Sequence, residues 1–497
     1  MIIRSKRHWT DIVEGPKHDG YNRRDFLLRG LAAGTISVAL PKLFGQDLIR
    51  AAEAATLNCP STAPNPGAIV QIFANGGPAM GARFIPESLA SGLTATGATN
   101  YGITGGANLL TIAPGMVIDT TSPFGIALMQ GPPGFAGGPS MWQSKVLKNI
   151  CAGGHMGPFN LDDGAGVNSG LWGSVSLDQS STLGKDLWFN PSPAPAVWAV
   201  GTPTARVLGG EATPAQVEAP FNFSPAVAGN TSVPEITNAA NGAVSISQAF
   251  SPLFGTTTRV ASDKLKNSVG CAFLGNIPLA DPSLATNYFD PTTIAKLTAI
   301  TTVASLTPYE QSQIAAYYQA AYGNVGGIII NTGGRDYHAA NDTPAIVAAA
   351  DVEDARSIVM FLAACYAANA PGALIYTSNG FCLSNGTNPV PVTINGQSFT
   401  ANTPKSVGDA GGFFNQGMVI FYSPSGNLPG VQTTGNPGTK MDGSVSADPK
   451  IGSQANAFAG LFLSAHHFVK GSIPARLTAA LNKAAIAPNQ SQVMVLK

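Results

Sequence analysis

Charge is what this sequence has least of: Lys, Arg, Asp and Glu make up 11% of 497 residues, against about a quarter in an ordinary soluble domain. The 27 basic and 27 acidic residues cancel. A nucleic-acid surface needs clustered Lys and Arg, so nucleic acid is excluded as a partner. The five cysteines, at 59, 151, 271, 365 and 382, form no C-x-x-C pair. That spacing argues against a zinc knuckle or a thioredoxin-like site, and an odd count leaves at least one thiol unpaired within the chain. Cys365 falls in a helical apolar pattern and reads as core packing. There is no Gly-x-Ser-x-Gly elbow of a serine hydrolase, no H-E-x-x-H of a zinc protease and no P-loop or dinucleotide fingerprint. A hydrophobic share of 44% is ample for a core, so global disorder is excluded. The surface must then be built from Gly, Ser, Thr, Asn and Gln.

The amino terminus carries an address. Arg23-Arg24-Asp25-Phe26-Leu27 follows a charged leader and precedes the apolar segment 31–40, which Pro41 closes. Ala52 and Ala54 place small residues where a signal peptidase reads them. The stretch resembles a twin-arginine (Tat) export signal, with Arg23, Arg24, Phe26 and Leu27 as its core, Asn22 replacing the usual Ser or Thr, and Leu28 standing where Lys is common. Residues 1–54 are thus expected to be a signal peptide and 55–67 a linker. The Tat translocase is the partner during export, and the destination is periplasmic or extracellular. Ten residues are too few to cross a bilayer, which takes about 20, and no other run is long and apolar enough. No permanent membrane span is expected. The leader carries nine of the 27 basic and six of the 27 acidic residues, leaving 18 against 21 and a formal charge of −3.

Residues 68–497 read as one α/β domain with an irregular excursion around 202–307. Short apolar runs at 68–73, 125–130, 196–200, 328–330, 373–377 and 418–422 predict strands. Helices are expected at 142–150, 308–322, 344–370 and 454–469, with a loop or hairpin excursion at 382–406. Strands alternating with helices favour a mostly parallel central sheet flanked by helices, with loop-rich excursions.

The segment 326–342, GGIIINTGGRDYHAAND, is the most plausible active-site stretch. A buried strand ends in a glycine turn, the position where open α/β sheets place their ligands. Asp336 and His338 sit two apart on that turn, suited to one divalent metal ion; the plainer assignment has Asp336 capping the turn and His338 bonding backbone. Other candidates are His155, in a Gly-rich loop followed by Asp162 and Asp163, and Asp409, on a Gly-rich loop before the last strand. Asn75-Gly76-Gly77-Pro78 reads as a tight turn. His466 and His467 are neighbours on a helix, about 100° apart, and read as structural or surface residues.

In this order the pieces resemble a family of Tat-exported bacterial proteins of unknown function, related to the alkaline phosphatase/sulfatase superfamily. The resemblance implies an alkaline phosphatase/sulfatase-like fold and at most one divalent metal held by Asp336, His338, Asp409 and His155, with Arg335 meeting an ester's charge. It also exposes losses. The family's Asp after the first glycine turn is absent, since Pro78 and Ala79 follow Gly77. Ser378-Asn379-Gly380-Phe381 stands where Ser-Glu-Phe-Gly would be, and Ala410 replaces the family's His after Asp409. Neither Pro nor Ala can ligate a metal. The implied protein has a hydrolase-like fold with a degenerate catalytic centre, a possible pseudoenzyme in a binding or structural role. Its alternatives are a metal-dependent phosphate- or sulfate-ester hydrolase and a secreted surface or matrix protein.

Replacing both Arg23 and Arg24 by Lys is expected to retain the protein in the cytoplasm at its unprocessed length. Fractionation and immunoblotting read this, and undiminished export of the double variant would remove the signal assignment.

Overall fold

The run Ala-Ile-Val-Gln-Ile-Phe-Ala forms the central strand β1 (Ala68–Ala74). It is apolar on both faces because it is covered on both, as expected of a strand inside a parallel sheet. The three isoleucines of 328–330 open β8 (Ile328–Thr332), and Gly372–Ser378 form β9, buried along its whole length. β1 lies parallel between them, with Val70 opposite both Ile328 and Leu374. A computed structural model describes residues 66–74, 77–157, 185–190, 204–209, 299–302, 305–322, 328–332, 337, 343–378, 382–409, 415–435, 454–471 and 495–496. These belong to one compact unit, Pro60–Pro225 with Pro278–Lys497.

Five further strands complete the main sheet: β5 (Ile150–Gly157), β6 (Lys185–Asn190), β7 (Thr204–Gly209), β12 (Asn415–Tyr422) and β13 (Thr433–Gly435). The order is β13-β5-β12-β9-β1-β8-β6-β7. Among the eight, β12 alone runs antiparallel to its neighbours, β9 and β5. The sheet is therefore mixed, seven strands in one direction and one reversed. β7 falls within the 202–307 stretch, so residues 204–209 of it form an edge strand of the main sheet. A small second sheet joins β2 (Ile85–Pro86), β3 (Leu109–Ala113) and β4 (Met116–Asp119).

Helices cover both faces of the sheet. The short helices α1 (Glu87–Ala90) and α2 (Ala95–Tyr101) precede α3 (Pro123–Gln130) and α4 (Gly138–Lys145). Then come α5 (Pro308–Tyr322), the long α6 (Pro344–Ala368) and α7 (Gln454–Lys470). Alternation along the strands directs Val70, Ile72, Leu374, Tyr376, Met418 and Ile420 into the core under α6. The opposite face meets α7, where Phe421 packs edge-on against Phe468 at 5.0 Å. Each fully buried aliphatic side chain contributes about 1.5–3 kcal/mol. α5 docks on α6 through Tyr317 and Phe361, whose rings cross at 89°.

Three local signals explain element ends. Thr307 and Glu310 close a reciprocal capping box at the start of α5, Thr307 N–H donating to Glu310 Oε2 at 2.8 Å and Glu310 N–H to Thr307 Oγ1 at 3.2 Å. Ser122 caps α3 by accepting from Gly125 N–H, with Pro123 in its first turn. Asn369 ends α6 in the left-handed conformation.

The excursion after β9 is a hairpin of two long strands, β10 (Cys382–Ile394) and β11 (Gln397–Asp409), joined by Asn395-Gly396. Both turn residues have positive φ, +52° and +78°, as a two-residue turn of the type preferred by Asn-Gly requires. Asn395 also pins the hairpin tip. Its Oδ1 accepts from Arg356 Nη1 at 2.7 Å, and its Nδ2 donates to the Gly131 carbonyl at 3.0 Å. Arg356 Nε in turn donates to Glu310 Oε1.

Two elements differ from the sequence expectation. Residues 125–130 belong to helix α3 rather than a strand, because the cap at Ser122 and Pro123 sets a helical start ahead of the apolar run. Residues 150–157 form β5 rather than a loop, and the expected helix at 142–150 is α4 followed by a 3-10 turn at Leu147–Asn149. The expected strand at 196–200 lies outside the described residues, as do the signal residues Arg23, Arg24, Phe26, Leu27, Ala52 and Ala54.

Asn395→Gly keeps the turn geometry and removes both tip bonds, an expected loss of about 1–2 kcal/mol. Asn395→Ala adds left-handed strain of about 1 kcal/mol. Urea unfolding of the two variants side by side checks the order, and equal stabilities would show that the left-handed turn does not select the residue.

Candidate functional site

At the carboxyl end of β1 the chain turns through Gly77 and Pro78 into a 3-10 turn, Met80–Ala82, and reaches Arg83. Two other strand ends are fastened to this turn. Tyr337 N–H, from the segment after β8, donates to the Gly77 carbonyl at 3.2 Å, and Cys382 N–H, from the start of β10, donates to the Pro78 carbonyl at 3.3 Å. β10–β11 pairing then sets Asp409 opposite Cys382. The backbones of Gly77–Pro78, Tyr337, Cys382 and Asp409 are thereby gathered at one end of the sheet.

Beneath that end lies a cluster of charge sealed from water. Arg83 is 0% exposed, and Asp351 and Asp354, one helical turn apart on α6, are 1% and 0% exposed. Arg83 Nε donates to Asp351 Oδ1 at 2.9 Å, Nη1 to Asp354 Oδ2 at 2.6 Å, and Nη2 to the Tyr337 hydroxyl at 2.8 Å. The Tyr337 hydroxyl donates to Asp351 Oδ1 at 2.9 Å, and Tyr376 of β9 donates to Asp354 Oδ2 at 2.7 Å. The guanidinium carbon stands 5.7 and 5.5 Å from the Tyr337 and Tyr376 ring centres, within cation–π range. Burial pushes the Asp351 carboxyl above its usual range; Arg83 and the Tyr337 hydroxyl pull it back, and Asp354 adds to the rise. With every group ionised the three charges sum to −1, and a buried uncompensated charge is costly.

The candidate residues from sequence divide as follows. Arg335, Asp336 and His338 lie outside the described residues, although Tyr337 between them is described. Asp409 ends β11 and is not on a loop. His155 is likewise on a strand, opposite Gly417 of β12 and Thr434 of β13. The order β1-β9-β12-β5 puts β5 three spacings from β1, about 14 Å at roughly 4.8 Å per spacing. The chain after the gathered turn nevertheless reaches β5: the Phe84 ring lies 3.3 Å from where a Cβ on Gly154, the residue before His155, would stand. Among the described residues no group of three or more His, Cys, Asp and Glu side chains could hold a metal ion. His466 is buried and His467 exposed on α7. Cys151, Cys365 and Cys382 are buried thiols, while Cys59 and Cys271 lie outside the described residues.

Sequence reasoning missed the Arg83 cluster and a cleft of about 1260 Å³ beside it. Thr332 at the end of β8, Glu310 and Gln313 of α5, Arg356 of α6 and the hairpin tip line this cleft. Its polar side chains are largely paired with one another: Glu310 serves the α5 cap and Arg356, and Gln313 bonds Ser357 at 2.9 Å. Signals for both features existed. Asp351 and Asp354 stand three apart in a largely apolar helix that also carries Glu353 and Arg356, a spacing that puts the two acids on one face. Thr-Pro-Tyr-Glu at 307–310 is a capping box in plain text, and Asn-Gly at 395–396 is a hairpin signal.

No protein-family profile matches the chain, and searches of curated proteins and of solved structures found no match.

Arg83→Met leaves two buried carboxylates facing each other without their cation. The expected loss is about 3–5 kcal/mol at neutral pH. Because Asp351 then lacks the guanidinium that opposed the effect of its burial, the deficit is expected to shrink as pH falls through the carboxylate range. Urea unfolding across pH checks this, and a deficit independent of pH would mean the cluster is not held by charge.

Proposed function

We propose that this is a Tat-exported protein with an α/β fold of the alkaline phosphatase/sulfatase-like kind, whose catalytic centre is degenerate and whose role is binding or structural. The observation that carries the reading is the fate of the charge at the strand ends. Arg83 is committed to Asp351 and Asp354 below the surface, and they to it. Metal-assisted ester hydrolysis needs carboxylates and imidazoles committed to the ion and a cation committed to the ester. The residues at the matching turn are Pro78, whose carbonyl is taken by Cys382, and Ala79, which is buried. The surface beyond is rich in neutral polar residues, and the cleft bounded by α5, α6 and the hairpin tip offers room for a bound molecule.

The hydrolase alternative keeps one observation in its favour. Asp409 and the residue between Asp336 and His338 belong to segments fastened to the same turn. His155 lies on β5, separated from β1 in the sheet by β9 and β12. A metal held there would supply Lewis-acid charge to an ester oxygen, with Asp336, His338 and Asp409 to hold it.

Elemental analysis of the folded mature protein, beside an Asp336→Ala/His338→Ala double variant, decides between them. The expected result is no near-stoichiometric divalent metal in either protein and no turnover of phosphate or sulfate esters. Stoichiometric metal that disappears in the double variant, together with ester turnover, would overturn the degenerate reading.

A further inference from the structure

One wall of the cleft beside α5 and α6 is the outer edge of β10. Four consecutive residues of that strand, Pro391, Val392, Thr393 and Ile394, line it. Successive side chains of a strand point to opposite faces, so one face would supply only every second residue, whereas an edge supplies them all. The hairpin turn fixes what this edge carries. Ile394 and Gln397 flank the two-residue turn and exchange both of their ladder bonds, and bonded and unbonded pairs then alternate along the hairpin. Pro391 and Thr393 accordingly turn their backbone groups away from β11. The same alternation turns Asn402 outward on the other strand, where its N–H donates to the Thr121 carbonyl at 2.8 Å. It also accounts for Pro389 and Pro391, which stand where no ladder bond is lost. A proline offers a carbonyl and no N–H, so this wall accepts hydrogen bonds more than it donates them.

We propose that the cleft binds a neutral saccharide, its hydroxyls donating to the Pro391 carbonyl and the Glu353 carboxylate while its C–H faces lie on Tyr309, Val352 and Val392. These three side chains pack partly against the core and line the cleft with what remains. Glu353 is exposed on α6, and an ionised carboxylate only accepts. The side-chain donors nearby are spent within the protein. Arg356 Nε and Nη1 donate to Glu310 and Asn395, Asn395 Nδ2 to the Gly131 carbonyl and Gln313 Nε2 to Ser357. A sugar ring, apolar on its faces and hydroxylated at its edges, is the complement of an apolar floor with acceptors along its sides. The cleft volume of about 1260 Å³ exceeds the roughly 300–1,000 Å³ of ordinary small-molecule pockets, which suits more than one ring.

Other ligand classes fit this lining less well. An extended peptide pairing with a strand edge needs donors and acceptors in alternation, and Pro389 and Pro391 withhold the donors. An anion would face carbonyls and a carboxylate. A polycation would find little charge to hold it: among the described residues of the lining the ionised groups are Glu310, Glu353 and Arg356, two acids and one base, a sum of −1. The inference deepens the binding reading given above and rests on it.

An array of neutral oligosaccharides drawn from glucans, xylans, mannans, galactans and chitin, probed with the full-length protein, tests it, and titration calorimetry then measures the best probe. At least one probe is expected to bind, with an affinity that salt changes little because no ion pair forms. Tyr309→Ala and Glu353→Ala should each weaken that binding about tenfold, the equivalent of one lost hydrogen bond or apolar contact. Ala349→Trp sets a large side chain at an exposed position of α6 on the cleft and should abolish binding. Urea unfolding of the three variants shows that each is folded; Glu353 and Ala349 are exposed, so their variants carry the test if Tyr309→Ala does not fold. No probe bound, or binding that survives Ala349→Trp, would overturn the proposal. So would binding of spermidine or of a tetra-alanine peptide at this cleft in place of every saccharide, an outcome that leaves the broader binding reading standing. That reading fails separately, on stoichiometric metal and ester turnover.

Discussion

A guanidinium shut away from water must find its counter-charges inside the fold, and Arg83 fixes four segments by that requirement. It follows the turn after β1, meets two acids of α6, and stands against the rings of Tyr337 and Tyr376. Lysine could not replace it, since the site uses three separate nitrogens directed to three acceptors. An unpaired charge at this depth would cost several kcal/mol. The long helix, the central strand and the strand ends are therefore positioned together or not at all.

That constraint bears on function. Open α/β sheets hold ligands outside the carboxyl ends of their strands because backbone groups and helix starts converge there. In this chain the convergence is used to join the strands to each other. Gly77 and Pro78 receive amides from Tyr337 and Cys382, and the neighbouring charge is internal. The open volume lies instead between α5, α6 and the tip of the hairpin, beyond the last residue of β8. Its rim is set by the relay from Glu310 through Arg356 to Asn395, which draws two helices and a hairpin to a common edge.

Much of this fold was legible in the sequence. β1, β8, β9 and the helices α5, α6 and α7 follow from apolar period and from Gly and Pro punctuation, with ends displaced by only a residue or two. Strand β5 was not legible, because Cys-Ala-Gly-Gly-His-Met-Gly reads as a loop. Its glycines answer crowding that only the fold reveals: a Cβ at Gly153 would stand 2.8 Å from the Val495 side chain. Helix α3 was misread for the opposite reason. A short apolar run fits strand and buried helix equally, and only the cap at Ser122 separates them. The candidate site was half legible. Asp409 is brought by the hairpin to the gathered turn, whereas His155 stands on β5, beyond β9 and β12 from β1, an order that no local pattern announces.

The reversed strand has one more consequence, for the order in which the chain can mature. β5 leaves the ribosome early, yet one of its two edges pairs only with β12, which begins 258 residues after β5 ends, and the other with the still later β13. Throughout the synthesis of that intervening chain, both edges of a Gly-rich strand have no partner in this sheet, and such edges invite pairing with other chains. Assembly of this half of the sheet is thus a late, long-range event, slow in the manner of all contacts between distant parts of a chain. A polypeptide built this way must be almost complete before half of its main sheet can close.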